Sequence, residues 1–212
     1  MTEKFADQQF RNFVYDLNSS KPSPGGGSAA AFAGAMAGAL AGMAAHLTVG
    51  KKSYADVEEE MQSVIASSEA LQREMLAMAQ EDADMFGLIL NAYKMPKSTP
   101  HEQAKRQAEI ERASKIAVLA SLHLSETCID ILRLAEKVVG KGSRLLVTDG
   151  AASAILARAC LRIAAYNVTA NLKPVRDKDF VYQCEVRLHA CRDLGASLEQ
   201  DILDAVDSEL GK

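Results

Sequence analysis

The sequence predicts an all-α protein, a bundle of six or seven helices that includes one long helix. Three observations carry that expectation. Trp is absent, aromatic residues make up 5% of the 212 positions, and Ala, Leu, Glu and Met are abundant, which is the composition of helices. Apolar residues recur at helical spacing over long stretches. The only strand candidate is the short run SRLLVT at 143–148. The length suits a single domain over 1–212, enough chain to bury a core without staples.

Taken in order, Thr2 can cap a first helix reaching about Leu17, with Phe5, Phe10, Phe13, Val14 and Leu17 on one face. A loop, PSPGGGS, follows at 22–28, and a second helix is expected from Ser28, as its cap, to about Val49. Gly50-Lys51-Lys52 stops it and sets positive charge near the negative end of its dipole. The long helix runs from near Tyr54 to Tyr93. Its seam reads Val57, Met61, Val64, Ser68, Leu71, Met75, Met78, position 82, Met85 and Ile89, a heptad-like step. After KMPKSTP, Thr99, Pro100 and Glu102 spell a capping box and a proline-led helix that reaches about Gly140, with a bend expected near Ser121. Thr148 or Asp149 can cap the next helix, to about Leu172. Asp177 or Asp179 can start the last, with Val181, Cys184, Leu188, Cys191, Leu198 and Ile202 on one stripe.

Composition narrows the function classes. Lys and Arg number 24 against 28 Asp and Glu, so no basic field points to nucleic acid. Cys128, Cys160, Cys184 and Cys191 lack C-x-x-C spacing, no H-E-x-x-H occurs, and all four cysteines fall in helical patterns, which reads as buried free thiols and no metal. The N-terminus, MTEKFADQQF, has no charged-then-apolar leader, which fits a reducing cytoplasm.

Residues 29–49 carry no formal charge if His46 is neutral, and their 21 residues are long enough to span a bilayer. Ten are Ala and three are Gly, however, and the strongly inserting residues contribute only about −2 kcal/mol. Spacing favours a soluble reading. Phe32, Met36, Leu40, Met43 and Leu47 make one large apolar stripe, expected to fill a core. Gly34, Gly38 and Gly42 make a small-residue stripe on the opposite face, where a neighbouring backbone can approach. This doubly apolar helix and the long seam offer more face than one small bundle can bury, which predicts a homodimer.

Two polar features stand out against this background. Asp82 occupies a seam position that wants an apolar residue, whereas Glu81 and Asp84 fall off the seam and can be solvated. A buried carboxylate either pairs with a Lys or Arg to fix helix register or serves as a desolvated general acid or base. Asn167 and Asn171, four apart on an otherwise apolar helix, share a face that can bond a ligand amide or simply meet solvent.

The motifs PGGGS (24–28), LTVGKK (47–52), DADMF (82–86), MPKSTPHE (95–102), TDG (148–150) and NVTANL (167–172), in this order and spacing, resemble the cyclodeaminase/cyclohydrolase family of tetrahydrofolate enzymes. The resemblance covers about Phe10 to Asp179. It departs at Ser121, where the family often has proline, and at Thr148, where it has serine. It implies an all-helical subunit that dimerises and binds folate near the subunit interface. The expected reaction is hydrolysis of methenyltetrahydrofolate or cyclisation of formiminotetrahydrofolate with loss of ammonia. Asp82 matches the family's acidic catalytic candidate, and Lys51 or Lys52 would be its cationic partner or bind the glutamate tail of folate, with Lys51 taken as the catalytic one. Lys52, Asp149, Asn167 and Asn171 are expected around the substrate. Gly25, Gly26 and Gly27 would let a flat ligand lie against the backbone, with Ser28 beside them, and a purely structural turn is the alternative. His46 can assist or can be a packed polar contact. The substrate is the only cofactor-like molecule implied. At 212 residues there is room for this domain alone, which inclines the reading to the cyclohydrolase. The rival reading is a non-catalytic helical assembly module built on the glycine stripe and the seam.

Overall fold

The computed structural model describes residues 4–211. Among them are six α-helices and no strand: α1 (Phe10–Leu17), α2 (Gly26–His46), α3 (Glu58–Lys94), α4 (Pro100–Lys141), α5 (Val147–Leu172) and α6 (Lys178–Glu209). The all-α expectation holds. The strand candidate is instead a 3-10 turn, Arg144–Leu146, that runs into α5.

The first helix is shorter than expected. Thr2 lies outside the described residues, and residues 5–8 form turns and a bend. Phe5 folds back rather than extending α1, and its ring meets Phe13 edge-on at 5.6 Å. Phe13 in turn lies 4.5 Å from Phe32 of α2. This aromatic chain fastens α1, of which only Phe13 is buried.

The long helix α3 starts later than its periodicity suggested, because Lys52–Val57 forms a 3-10 turn. Glu58, Glu59 and Glu60 then fill its first turn, where negative charge meets the positive end of the dipole. Its seam is real, since Met61, Val64, Ser68, Met75 and Met78 are buried. The second long helix, α4, begins with the expected capping box. Thr99 Oγ1 accepts from the Glu102 amide at 3.2 Å, and Glu102 Oε2 accepts from the Thr99 amide at 2.9 Å. It is continuous through Ser121, whose hydroxyl donates to the Ala117 carbonyl at 2.9 Å. At α5 the N-cap position is Leu146, so Thr148 and Asp149 lie inside the first turn rather than capping it. At α6 Asp177, not Asp179, is the cap, accepting from the Phe180 amide at 3.1 Å.

Helix α4 packs against α2, α3, α5 and α6, and α2 lies between α3 and α5. Leu122, Ile131, Leu132 and Leu161 are fully buried along this junction, and the four cysteines are buried free thiols. The small-residue stripe of α2 admits α3 closely, but it is mainly side chains rather than backbone that enter. A Cβ on Gly34 would strike Met75 Sδ at 2.7 Å, and one on Gly42 would overlap the Ser68 hydroxyl. The Ser153 hydroxyl of α5 donates to the Ala37 carbonyl at 2.7 Å on another side.

The large stripe of α2 fills the core only in part: Phe32 packs against it and Leu40 is half-buried, but the other three residues face outward. Met36 and Leu47 are 47% and 49% exposed, and Met43 is exposed too, while the helix buries its Ala and Gly. The reason is steric. A helix wedged among three others approaches them most closely on its smallest residues, so these bulky ones turn outward. By length and composition α2 could cross a membrane, yet its small-residue faces are buried inside the bundle.

Candidate active site

Asp82 stands on α3 where the seam passes the N-terminus of α2. Its Oδ2 accepts two hydrogen bonds from Ser28, from the amide at 2.9 Å and from the hydroxyl at 3.0 Å. The carboxylate lies so close to Gly27 that a Cβ there would overlap it. The third glycine of the loop is therefore required by Asp82, not by a ligand. Ser28 is not the cap of α2 either. The N-cap is Gly25, which has no side chain, and Asp82, 54 residues further along, satisfies the Ser28 amide in its place.

Burial raises the pKa of Asp82, and the Ser28 hydroxyl and amide pull it back only in part. No Lys, Arg or His forms an ion pair with Asp82 among the described residues, so the register-fixing salt bridge is not what holds it.

The carboxylate borders a cavity of about 320 Å³. Gly25, Gly26 and Gly27 form one edge of it, Met78, Met85, Phe86 and Ile89 of α3 a second, Ala117, Ala120, Ser121 and Leu124 of α4 a third, and Asn167, Ala170 and Asn171 of α5 the fourth. A Cβ at Gly25 or Gly26 would meet nothing within 4 Å, so these two glycines are not demanded by packing and leave backbone open to a ligand. The chemistry is that of a small ligand pocket, with apolar walls, a few convergent polar groups and a titratable group shifted by burial. Asp82, Asn167, Asn171 and the glycine loop are thus brought together as the sequence suggested.

Other expected site residues are not brought there. Lys51 donates from Nζ to Ser143 Oγ at 3.1 Å, Lys52 is exposed at the start of the 3-10 turn, and Asp149 lies in the first turn of α5. Lys51 and Lys52 follow the C-terminal end of α2, whose last residue is His46, and at 1.5 Å per residue the 21 residues of that helix put these lysines roughly 30 Å from Asp82 within one subunit. Lys51 is therefore not the ion partner of Asp82 in this chain. Asp149 lies one turn before Ser153, which bonds Ala37 midway along α2, and it does not line the cavity.

Glu81 is the site residue that the seam argument passed over. It is exposed, as expected, yet it lines the same cavity. The wheel contained the signal, since adjacent residues lie 100° apart and Glu81 borders the Asp82 face. The cavity then carries two carboxylates, and no Lys, Arg or His lines it. Among the described residues no group of three or more His, Cys, Asp or Glu converges as a metal site would need.

Residues 9–190 match the family model described as Formiminotransferase-cyclodeaminase. The chain belongs to this family. Within it, the chain is 36% identical to the methenyltetrahydrofolate cyclohydrolase of Methylorubrum extorquens, over 96% of this chain and 98% of that one. It is 28% identical to the formimidoyltransferase-cyclodeaminase of Mus musculus over 84% of its own length, which is 33% of the mouse protein. The fold superposes on the crystal structure of formiminotetrahydrofolate cyclodeaminase from Thermotoga maritima with a TM-score of 0.88 and 27% identity, covering 96% of this chain and 98% of that one. The family is enzymatic, which sets aside a purely non-catalytic assembly module. The Thermotoga comparison also removes an argument from length, because a chain of nearly the same extent is described as a cyclodeaminase.

Proposed function

We propose that the protein converts one-carbon derivatives of tetrahydrofolate at the Asp82 cavity, and that its reaction is hydrolysis of methenyltetrahydrofolate to formyltetrahydrofolate. The observation that carries this is a cavity with two carboxylates and no basic side chain on its walls. In the methenyl substrate the one-carbon unit bridges two nitrogens and shares their positive charge. A desolvated carboxylate favours such a cation over a neutral folate. The similarity to the Methylorubrum cyclohydrolase over nearly both full lengths supports hydrolysis as the reaction.

Asp82 supplies the proton traffic. Water attacks the bridging carbon, and Asp82 takes a proton from it as the new C–O bond forms. The tetrahedral intermediate then collapses with cleavage of one C–N bond. The proton held by Asp82 passes to the departing ring nitrogen, and the second proton of the water leaves to solvent as the formyl carbonyl forms. Cyclisation of a formimino group, which enters protonated as =NH2+, uses the same carboxylate to take the proton of the attacking nitrogen and return it to the departing ammonia. Asn167 and Asn171, with side chains four residues apart on α5, offer donors and acceptors to the flat amide edge of the pterin. The open backbone at Gly25 and Gly26 receives the ring face. Neither a metal nor a further cofactor enters this scheme.

We also infer a cytoplasmic homodimer that binds neither nucleic acid nor membrane. The exposed Met36, Met43 and Leu47 make a ready contact for a second copy. Antiparallel pairing of two α2 helices would set the partner's Lys51 and the partner's Lys52 beside this subunit's glycine loop, within reach of a glutamate tail. Two experiments test the reaction and the pairing. Turnover of methenyl- and formiminotetrahydrofolate, followed side by side by absorbance, should show hydrolysis of the first as the faster reaction. Activity on the formimino substrate alone contradicts the choice of reaction, and activity on neither contradicts the substrate class. Sedimentation at micromolar concentration should show two chains, and a stable monomer contradicts the pairing.

A further inference from the structure

The resemblance had placed Ser28 with the residues that touch substrate. Its surroundings say otherwise. Ser28 is fully buried and does not line the cavity. Both of its polar donors are committed to one atom, Oδ2 of Asp82. Oδ1 of the same carboxylate accepts no hydrogen bond from the described protein and rests against Gly27. The two oxygens of Asp82 are therefore inequivalent, with Oδ2 tied to the first turn of α2 and Oδ1 left for chemistry.

We propose that Ser28 is a positioning residue for the reaction, fixing Oδ2 of Asp82 on the N-terminus of α2 so that Oδ1 alone exchanges protons with the substrate. The inference rests on Asp82 being the proton carrier. Three features make the arrangement directional. The Ser28 amide is fixed by the helix backbone and cannot follow a moving side chain. The hydroxyl adds a second bond from the same residue, which resists rotation of the carboxylate about its last torsion. Gly27 removes the one side chain that would keep the carboxylate off the helix end. Both bonds favour the charged carboxylate and so oppose the effect of burial. Glu81 is the only other titratable side chain lining this cavity, and the faces that α2, α4 and α5 present to it supply Gly, Ala, Ser, Leu and Asn.

The test is the pH dependence of kcat and KM for methenyltetrahydrofolate in wild type, Ser28→Ala and Ser28→Cys, with Asp82→Asn alongside. Loss of the hydroxyl bond in Ser28→Ala should move the acidic limb of kcat/KM upward by about one pH unit, since a hydrogen bond to a charged group is being removed. It should lower kcat at neutral pH about tenfold and leave KM within about twofold. Ser28→Cys, a weaker donor of similar size, should fall between the two and guards against a folding defect in the alanine variant. An acidic limb that stays in place while activity falls with melting temperature overturns the proposal and makes Ser28 structural. A rise in KM with an unmoved limb also overturns it and returns Ser28 to substrate binding. If both outcomes are absent but Asp82→Asn is fully active, it is the assignment of Asp82 that fails, and the positioning role falls with it.

Discussion

The two ends of α2 look alike in sequence and differ in structure. Each has a glycine-containing loop, charged residues nearby and a small hydroxyl side chain. At the C-terminal end the polar groups close on one another. The Thr48 hydroxyl donates to the Ala44 carbonyl at 2.7 Å and accepts from the Ser143 amide at 2.9 Å, while Lys51 bonds Ser143 Oγ and the Arg144 amide bonds the Tyr54 hydroxyl. At the N-terminal end they remain available. Asp82 keeps one oxygen without a protein donor, Asn167 and Asn171 face a cavity, and Gly25 and Gly26 border open space. A polar cluster that satisfies itself holds a fold together, and one that stays partly unsatisfied is equipped to hold something else.

Substitutions at the two ends should therefore fail differently. Of the substitutions in the loops at the two ends, Gly27→Ala should have the largest effect on turnover. Its new Cβ would overlap the Asp82 carboxylate, which is the far end of a flexible side chain and can swing aside cheaply. Turnover should fall about 100-fold because the acid/base group is misplaced, and stability should drop by about 1–3 kcal/mol because the buried Ser28 amide and hydroxyl lose their acceptor. At the opposite end, Thr48→Val removes the acceptor of the buried Ser143 amide and should cost about 1–3 kcal/mol in denaturant unfolding. Turnover per folded molecule should be unchanged, and a large activity loss there would blur the contrast between the ends. Gly26→Val comes next. Nothing within 4 Å opposes the side chain on the protein side, and Gly26 does not have a positive φ, so the fold should tolerate it. Its methyl groups would occupy ligand space and weaken folate affinity about tenfold, measured by titration beside a thermal melt. A collapsed melt with normal binding by the folded fraction would make the loop structural.

The sequence disclosed some of this and concealed the rest for physical reasons. The capping box at Thr99 and Glu102, the seam of α3 and the buried face of α6 are local or periodic signals; the box and the α6 stripe appear as read, and the seam is buried from Met61 to Met78 but only half-buried at Leu71 and beyond Asp82. Asp82 was visible because it interrupts a seam. The neighbour that defines it was not, since a contact between Ser28 and Asp82 joins positions 54 apart with no periodicity linking them. The glycine loop suggested openness throughout, yet Gly27 is a glycine for the sake of Asp82, and only Gly25 and Gly26 are open. The outward turn of Met36, Met43 and Leu47 depends on how tightly α2 is flanked, which a hydrophobicity pattern does not encode. Lys51, Lys52 and Asp149 drew attention through their motifs, but helix length separates the lysines from Asp82 and Asp149 does not line the cavity.

The central claim is that the N-terminal end of α2 is the reactive one because Asp82 carries protons there, and Asp82→Asn tests it most directly. The folded-state pKa of Asp82 is raised by burial, so the folded protein binds this proton more tightly than the unfolded chain. The stabilisation tied to that proton is complete below the ordinary carboxylate value and is lost as pH rises through the raised one. At neutral pH the ionised carboxylate therefore costs folding free energy, which asparagine would not. Asn keeps the shape and the acceptor for Ser28 but cannot take up the proton. Turnover should fall roughly 100-fold or more in kcat, with melting temperature at pH 7 equal or higher and the stability gain shrinking in acid. Asp84→Asn, on the exposed side and bonded only to Gln80 Nε2 at 3.0 Å, should change neither activity nor stability appreciably and serves as the control. Full activity in Asp82→Asn, or a clear loss of stability with activity per folded molecule retained, would contradict the account and make this carboxylate a structural cap for α2.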